Sequence, residues 1–278
     1  MKLAYKEAEI FAKSHYENFP VISRFLPKEL GKHVAVVYQF ARQADDIADE
    51  GDISRDLRKK KLQEYENQLI KCKAGECENI FWNALRETIT NYNLSYKHFH
   101  NLLVAFNMDI EKRRFINFDE ILGYCFYSAN PVGRIILEFF DIRDPESIEY
   151  SDAVCTALQL TNFYQDIGVD FQKDRIYIPQ NEMLQFGVDE KNFENKKNND
   201  NFRKLLEYQV ERVKELFIKG RKLLDRLPNK LKYQIAWTIL GGEEILNKIE
   251  KINYNVLNKR PVLTKIDYFQ LMLKSFFI

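Results

Sequence analysis

Apolar residues recur at helical spacing along nearly the whole chain, whereas the alternating pattern of β-strands is scarce. With only seven prolines and ten glycines to interrupt it, the pattern predicts an all-α protein. Helices are expected near residues 2–18, 28–50, 54–73, 78–92, 96–113, 118–140, 147–171, 201–226, 229–257 and 264–276. No repeat and no domain linker is evident, which favours one helical domain spanning residues 1–278.

Three local features modify this pattern. Pro131, in the run Ala129-Asn130-Pro131, should kink the helix expected over 118–140, because proline removes a helical hydrogen bond. The pair Gly241-Gly242 permits a bend or a close helix crossing. The segment of about 172–200 is predicted to be irregular, and its Asn- and Lys-rich tip is predicted to be a mobile surface loop without a function.

A polar ridge stands out within the helix expected over 147–171. Asn162, Asp166 and Asp170 recur every fourth residue and therefore share one face of a helix, with Gln159 one turn before them. Buried Asp and Asn side chains are costly unless a polar ligand accompanies them. Because the neighbouring positions are apolar, the ridge indicates a binding site for a hard cation.

A second acidic cluster lies near the end of the helix expected over 28–50. Asp45 and Asp49 are one turn apart, and Asp46 lies about 100° round from Asp45. If the two helices face each other, their carboxylates suit Mg²⁺, which binds a few carboxylates together with substrate phosphates. A solvated acidic face is the alternative for either cluster alone, but two clusters inside apolar helices favour the metal site.

Composition narrows the function classes. With 42 basic and 41 acidic residues, the net charge of +1 predicts no nucleic-acid partner. The 21 Phe and 15 Tyr can line a wide apolar cavity as well as fill a core. The chain contains no Glu-x-x-His motif, which argues against a di-iron bundle, and no GxGxxG motif. The cysteines, at positions 72, 77, 125 and 155, lack metal-site spacing and are expected to be reduced thiols.

Two further patterns bear on location. There is no apolar run of 18 residues, and the charged amino-terminal segment lacks the apolar core of a signal peptide, so we expect a cytoplasmic protein. The tail Tyr268–Ile278 is apolar enough to be either a last core helix or a contact with the inner face of a membrane. The core helix is favoured, because a docked terminal helix is held in place.

The acidic clusters also carry a resemblance. The runs DDIAD (Asp45–Asp49) and NFYQDIGVD (Asn162–Asp170), the latter followed by DRIYIP, resemble the two aspartate-rich motifs of the squalene and phytoene synthase family of head-to-head prenyl-diphosphate enzymes. The likeness runs from about Ser14 to Arg260. The runs HYENFP and SANPVG and the residue Gln165 are most similar to the bacterial hydroxysqualene synthase branch of hopanoid biosynthesis.

The resemblance implies an isoprenoid-synthase-type helical bundle with a central cavity, the two motifs facing each other at its mouth. The implied Mg²⁺ ligands are Asp45, Asp46, Asp49, Asn162, Asp166 and Asp170. The implied catalytic residues are Asp45, Asp49, Asp166, Asp170, Tyr38 and Asn130, of which Asn130 is expected to place a water. The implied diphosphate- and substrate-binding residues are Arg42, Gln159, Arg175, Tyr177, Tyr124, Gly133, His15 and Asn18, with Arg260 a weaker candidate.

Ordinary structural roles compete with several of these assignments. Arg42 could simply pair with neighbouring acids at the surface, and Tyr38 and Tyr124 could be core residues. His15 could be a capping or packing histidine. These alternatives remain open at the level of sequence.

Two departures from the family pattern point to the reaction. Glu17 and Asn18 stand where the family carries a basic residue and a serine that grip a second diphosphate, and Gln165 replaces an arginine. Fewer positive donors suit a substrate with one diphosphate. The resemblance therefore implies Mg²⁺-dependent conversion of presqualene diphosphate and water to hydroxysqualene and diphosphate, without NADPH.

Two other functions stay in view. One is a transferase that joins two prenyl diphosphates, such as farnesyl diphosphate, into presqualene diphosphate, squalene or phytoene. The other is a non-catalytic family member that acts as an assembly or scaffold protein, which would not need both acidic motifs. The expected partners are the prenyl diphosphate, an enzyme that supplies presqualene diphosphate, and a membrane surface contacted transiently during release of the C30 product.

Overall fold

The computed structural model describes residues 2–14, 27–51 and 53–277, and in these ranges it contains no β-strand. The prediction of an all-α protein is therefore confirmed. The helices are α1 (Lys2–Ser14), α2 (Lys28–Asp49), α3 (Arg55–Ala74), α4 (Ile80–Asn91), α5 (Tyr96–Glu111), α6 (Phe118–Ser128), α7 (Asn130–Phe139), α8 (Pro145–Gln165), α9 (Ile167–Gln172), α10 (Gln180–Gln185), α11 (Glu190–Glu194), α12 (Asp200–Arg221), the 3₁₀ helix Lys222–Arg226, α13 (Asn229–Lys251) and α14 (Lys265–Ser275).

The helices form two compact units. The first comprises Met1–Glu111 with Pro131–Asp144, and the second comprises Lys112–Asn130 with Pro145–Ile278. The single domain expected from the sequence stays a prediction.

The core of the first unit determines which face of α2 is exposed. Phe40, Ala44 and Ala48 recur every fourth residue and are buried. The Phe40 ring meets those of Trp82 and Phe99 edge-on, at centroid distances of 6.0 and 5.3 Å. Because this side of α2 is packed into the core, the acidic residues near its end are left on the partly exposed side.

Close helix packing holds the second unit together. α8 packs against α12 and α13. At Gly242 in α13 an added Cβ would lie 2.5 Å from Cζ of Phe217 and 3.0 Å from Cδ2 of Leu158. The close crossing predicted for the Gly241-Gly242 pair is thus confirmed at Gly242.

Two long predicted helices are each interrupted. The helix expected over 118–140 ends at Ser128 and restarts at Asn130, since Pro131 has no N–H to continue the hydrogen-bond ladder. The helix expected over 147–171 ends at Gln165 and restarts at Ile167. Between them Asp166 adopts φ −104° and ψ 10°, outside the helical region.

The prediction of a long irregular segment over about 172–200, with a mobile tip, was wrong. The segment contains α10 and α11 and buries Ile178 and Phe193. Even its Asn- and Lys-rich end is tied down: the side-chain amide of Asn198 donates to the carbonyl of Asn253, and that of Asn258 donates to the carbonyl of Lys196. Buried apolar side chains, which the polar composition obscured, order this segment.

The carboxyl-terminal part also differs from the expected boundaries. α13 ends at Lys251 rather than near 257, because Asn253 and Tyr254 adopt left-handed φ values of 53° and 57°. α14 then packs back onto α13. Among the described helices, none is long and apolar enough to cross a membrane.

Candidate active site

The first acidic cluster is built around Arg42. Its Nη1 lies 3.2 Å from Oδ2 of Asp45, and its Nη2 donates to Oε1 of Glu50 at 2.8 Å. Its Nε lies 2.8 Å from Oδ1 of Asp46, although the two atoms are not aligned for a hydrogen bond. Burial opposes the charge on Arg42, but these carboxylates raise the pKa of its guanidinium. Tyr38 lies one turn before Arg42 and Asp49 lies one turn after Asp45, and both side chains are partly exposed.

Arg58 holds the helix end that carries this cluster. From α3 its guanidinium donates to the carbonyls of Ile47, Glu50 and Gly51 at 3.2, 2.9 and 2.6 Å. These carbonyls lie at the end of α2, where intrahelical partners run out and positive charge is favourable. The sequence analysis missed Arg58, because it lies in a basic run of α3 that resembles an ordinary solvated helix face.

In the second unit, the polar ridge is present across the interruption between α8 and α9. The N–H of Asp166 donates to the carbonyl of Asn162 at 2.9 Å, and the N–H of Asp170 donates to the carbonyl of Asp166 at 2.8 Å. The three side chains and Gln159 are partly exposed, whereas Phe163 is buried. The polar side chains of the ridge are therefore partly accessible to solvent.

Asp166 is paired with Arg260, 94 residues later in the chain. Both carboxylate oxygens accept from the guanidinium, Oδ1 from Nε and Oδ2 from Nη2. Next to this pair, Nε2 of buried Gln165 donates to the carbonyl of Pro261 at 2.6 Å. Gln165, interpreted from the sequence as a lost positive donor, thus holds the segment that brings a positive charge to Asp166.

Gln165→Leu should weaken this arrangement. The change leaves the buried Pro261 carbonyl without its donor and is expected to cost about 1–3 kcal/mol of unfolding free energy. Urea denaturation would measure the cost. Gln172→Leu, at an exposed position of α9, is the matched control and should change little. Equal stabilities of the two variants would contradict this role of Gln165.

Gly168, between the two aspartates of the motif, is required by close packing. A Cβ at this position would lie 2.9 Å from the carbonyl oxygen of Leu257 and 3.1 Å from that of Val256. Backbone atoms cannot swing aside as a flexible side chain can, so the segment after α13 must shift if a side chain is added. A single glycine inside a helical pattern is the signal that could have revealed this contact.

Gly168→Ala should therefore destabilise the protein by about 1–3 kcal/mol through overpacking. The matched control is Gly123→Ala in α6, where an added Cβ meets nothing within 4 Å. That change should stabilise by about 0.5–1 kcal/mol, because alanine is the better helix former. Thermal unfolding of both variants would measure the difference, and a neutral Gly168→Ala would show that the backbone contact is loose.

Aromatic rings line the inner side of the second motif. The rings of Phe163 and Tyr177 stack with centroids 3.7 Å apart and planes 4° from parallel. Tyr124 lies 5.9 Å from Phe163 and 6.1 Å from Tyr177, and Phe115 joins the cluster. The structure thus brings together Tyr124 and Tyr177 of the predicted site. It adds Phe163, which the sequence did not single out as a site residue.

Asp170, Arg175 and Tyr177 line one small recess beside Phe163. The turn that leads from α9 to Arg175 and Tyr177 is held by Arg114. Its guanidinium donates to the carbonyl of Asp174 at 2.6 Å and forms ion pairs with Asp174 and Glu190. Asp174 itself has a left-handed φ of 59°. Arg114 was missed because it belongs to a short basic run with no periodic pattern.

The remaining predicted residues are found in different settings. Asn130 is buried, and its Oδ1 accepts from the hydroxyl of Thr156 at 3.1 Å. Gly133 lies in α7, in the first unit. His15 and Asn18 lie outside the described residues. The roles of all the predicted site residues remain predictions.

The donor set can be tested against the expected Mg²⁺. Across residues 2–14, 27–51 and 53–277 no three His, Cys, Asp or Glu side chains are close enough to hold a metal ion by themselves. Mg²⁺ does not need such a cage, because it usually binds one or two carboxylates plus phosphates and water. Oδ1 of Asp46 is buried without a hydrogen bond. All the available donors are oxygens, so they fit Mg²⁺ bound together with a diphosphate.

Comparison with known proteins finds relatives in sequence and in structure. A squalene synthase, HpnC, from Alicyclobacillus acidocaldarius shares 37% identity and a TM-score of 0.86, covering 91% of this chain and 95% of that one. A hydroxysqualene synthase from Zymomonas mobilis is 37% identical over 186 residues, which are 65% of this chain and 61% of the relative. A chloroplastic phytoene synthase from an Oncidium hybrid cultivar is 26% identical over 94% of this chain, which spans 65% of that relative's length.

The fold is thus the isoprenoid-synthase-type helical fold expected from the sequence. The family model for squalene/phytoene synthase matches residues 12–267. This chain belongs to the squalene/phytoene synthase family.

Proposed function

We propose that the protein is a Mg²⁺-dependent enzyme that ionises a prenyl diphosphate, and that its reaction is of the hydroxysqualene synthase type. The observation that carries the proposal is the pairing of each acidic cluster with a guanidinium: Arg42 at the first cluster and Arg260 at the second. A site that holds both carboxylates and guanidinium groups can accept metal ions and phosphate oxygens together.

In this proposal Asp45, Asp46, Asp49, Asn162, Asp166 and Asp170 would hold Mg²⁺. A metal ion bound there would supply positive charge against the negative charge that develops on the departing diphosphate. Arg42 and Arg175 donate hydrogen bonds to phosphate oxygens, a task that suits their forked guanidinium groups.

The stacked rings of Phe163 and Tyr177, with Tyr124, form an apolar wall beside the second motif. Such a wall excludes water and stabilises a carbocation through the π faces of its rings. Asn130 positions the water that captures the cation. The carbon–oxygen bond to diphosphate breaks, the cation rearranges, water adds, and one proton is released, so presqualene diphosphate and water give hydroxysqualene and diphosphate.

The choice of this branch rests on similarity and on the sequence at the site. Identity is 37% with the Zymomonas hydroxysqualene synthase over 65% of this chain, compared with 26% with the Oncidium phytoene synthase over 94% of it. Glu17 and Asn18 also lack the positive charge that a second diphosphate needs. A separate enzyme would then supply presqualene diphosphate.

One observation favours a second candidate, the head-to-head transferase that uses two prenyl diphosphates. Arg260 brings a positive charge to Asp166, so the loss of an arginine at position 165 is partly compensated. A scaffold without catalysis is disfavoured, since both acidic motifs are complete.

A product assay separates these functions. The purified protein is incubated with Mg²⁺ and either presqualene diphosphate or farnesyl diphosphate, and the organic extract is analysed. An alcohol formed from presqualene diphosphate alone supports the proposal, and it should disappear when Mg²⁺ is chelated. Turnover of farnesyl diphosphate would support the transferase instead. Inertness towards every prenyl diphosphate, with the protein folded, would support the scaffold.

A further inference from the structure

α14 exposes a continuous apolar stripe. Ile266, Phe269 and Leu273 in α14, and Phe277 in the turn directly after it, follow one another at helical spacing, and they are 69%, 59%, 45% and 90% exposed. At about 100° per residue the three residues of α14 fall within one narrow sector of the helix surface, and Phe277 extends the sector past the helix end. Single exposed apolar residues are common, but four in succession at helical spacing are not.

The opposite side of α14 holds the helix in place. Leu271 is buried there, and Oδ2 of Asp267 lies 2.8 Å from Nζ of Lys248 in α13. The rings of Tyr268 and Trp237 also meet, with centroids 6.3 Å apart. Because α14 is anchored through this side, the stripe faces away from the unit instead of turning into its core.

Charge is arranged around the stripe in a definite way. Lys265 and Lys274 are exposed and lie at its two edges, again at about 100° per residue. α14 contains one carboxylate, Asp267, and that group is paired with Lys248. The outward surface of α14 is therefore apolar in the middle and positive at the edges.

We propose that this stripe binds the surface of a bilayer that contains anionic lipids, with α14 lying along the membrane plane. An amphipathic helix of this kind buries its apolar face at the boundary of headgroups and acyl chains, while lysines meet the phosphates. A second copy of the chain is a poorer occupant. Two copies packed through their stripes offer Lys265 and Lys274 no unpaired carboxylate on the facing α14, since Asp267 is paired with Lys248. The inference is independent of which prenyl diphosphate the enzyme uses.

Vesicle co-sedimentation with the full chain tests the proposal. Vesicles of phosphatidylcholine are compared with vesicles in which about one third of the lipid is phosphatidylglycerol. The wild-type protein should bind the anionic vesicles, and added salt should weaken the binding. The double variant Phe269→Glu/Leu273→Glu should bind about tenfold less or worse, because it puts carboxylates into the apolar stripe.

Two controls keep the result specific. Leu184→Glu changes a residue of α10 that is 81% exposed, outside the stripe, and it should bind like the wild type. Lys265→Ala/Lys274→Ala should bind anionic vesicles about tenfold less while keeping the stripe intact. Circular dichroism confirms that each variant is folded.

Three outcomes would overturn the proposal. The first is that the wild type does not bind anionic vesicles. The second is that the wild type and Phe269→Glu/Leu273→Glu bind equally. The third is that sedimentation velocity shows a dimer that this double variant converts to a monomer, which would make the stripe a contact between copies.

Discussion

Asp166→Ala should lower kcat by about 10³-fold or more, measured with whichever prenyl diphosphate the wild type accepts. Asp166 is the middle residue of the ridge formed by Asn162, Asp166 and Asp170, and it is the partner of Arg260. Its loss removes a proposed metal ligand and releases the guanidinium beside it. The stability cost should be small, about 0–1 kcal/mol, since both side chains are partly exposed.

The control for this prediction is Asp200→Ala. Asp200 also pairs with an arginine, Arg203, but on α12 and outside the predicted site. It should leave kcat within about twofold of the wild type, and urea denaturation should show both variants folded. If Asp166→Ala keeps the wild-type kcat, Asp166 is not a catalytic metal ligand.

Arg212→Leu should lower the free energy of unfolding by about 3–5 kcal/mol, the largest stability effect we expect. Nη2 of Arg212 donates to Oε1 of buried Glu182 at 2.6 Å. Burial opposes the charge on Arg212, while Glu182 raises the pKa of its guanidinium. Without Arg212 the glutamate is left as an uncompensated buried charge.

The same network explains why Glu182 cannot simply be replaced as well. Gln209 donates to Glu182 and accepts from the hydroxyl of Tyr164 at 2.8 Å, and Tyr164 belongs to the second motif's helix. Glu182→Leu/Arg212→Leu should recover only part of the lost stability, since the Gln209 amide then lacks its acceptor.

Arg203→Leu is the matched control for Arg212→Leu, because its ion pair with Asp200 is exposed. It should cost about 0–1 kcal/mol, measured by urea denaturation. Similar costs for the two arginines would show that the buried network contributes no more than a surface pair.

The sequence predicted those parts of the site whose residues are close together along the chain. The ridge of Asn162, Asp166 and Asp170 was readable because its members are one helical turn apart. Arg260 was only a weak candidate, since the contact with Asp166 joins residues 94 positions apart and leaves no periodic signal. Arg58 and Arg114 act on backbone carbonyls, which every residue carries, so the sequence does not single out their targets.

The same reasoning explains the errors in the fold. The helices could be predicted from the spacing of apolar residues, because each helix buries one face. The end of α13 depended on left-handed backbone at Asn253 and Tyr254, which neither residue type guarantees. In residues 172–200 the polar run favoured the prediction of a loop, although the burial of Ile178 and Phe193 orders the segment.

The stretch between α13 and α14 should tolerate few insertions or deletions. It meets the second motif three times: the carbonyls of Val256 and Leu257 lie against Gly168, Arg260 pairs with Asp166, and the carbonyl of Pro261 accepts from Gln165. Turns between helices usually accept insertions, deletions and fused tags. Here a residue added or lost between these contacts shifts the contacting residues relative to the motif. The turn should therefore be as intolerant of length changes as the aspartate motif that it supports.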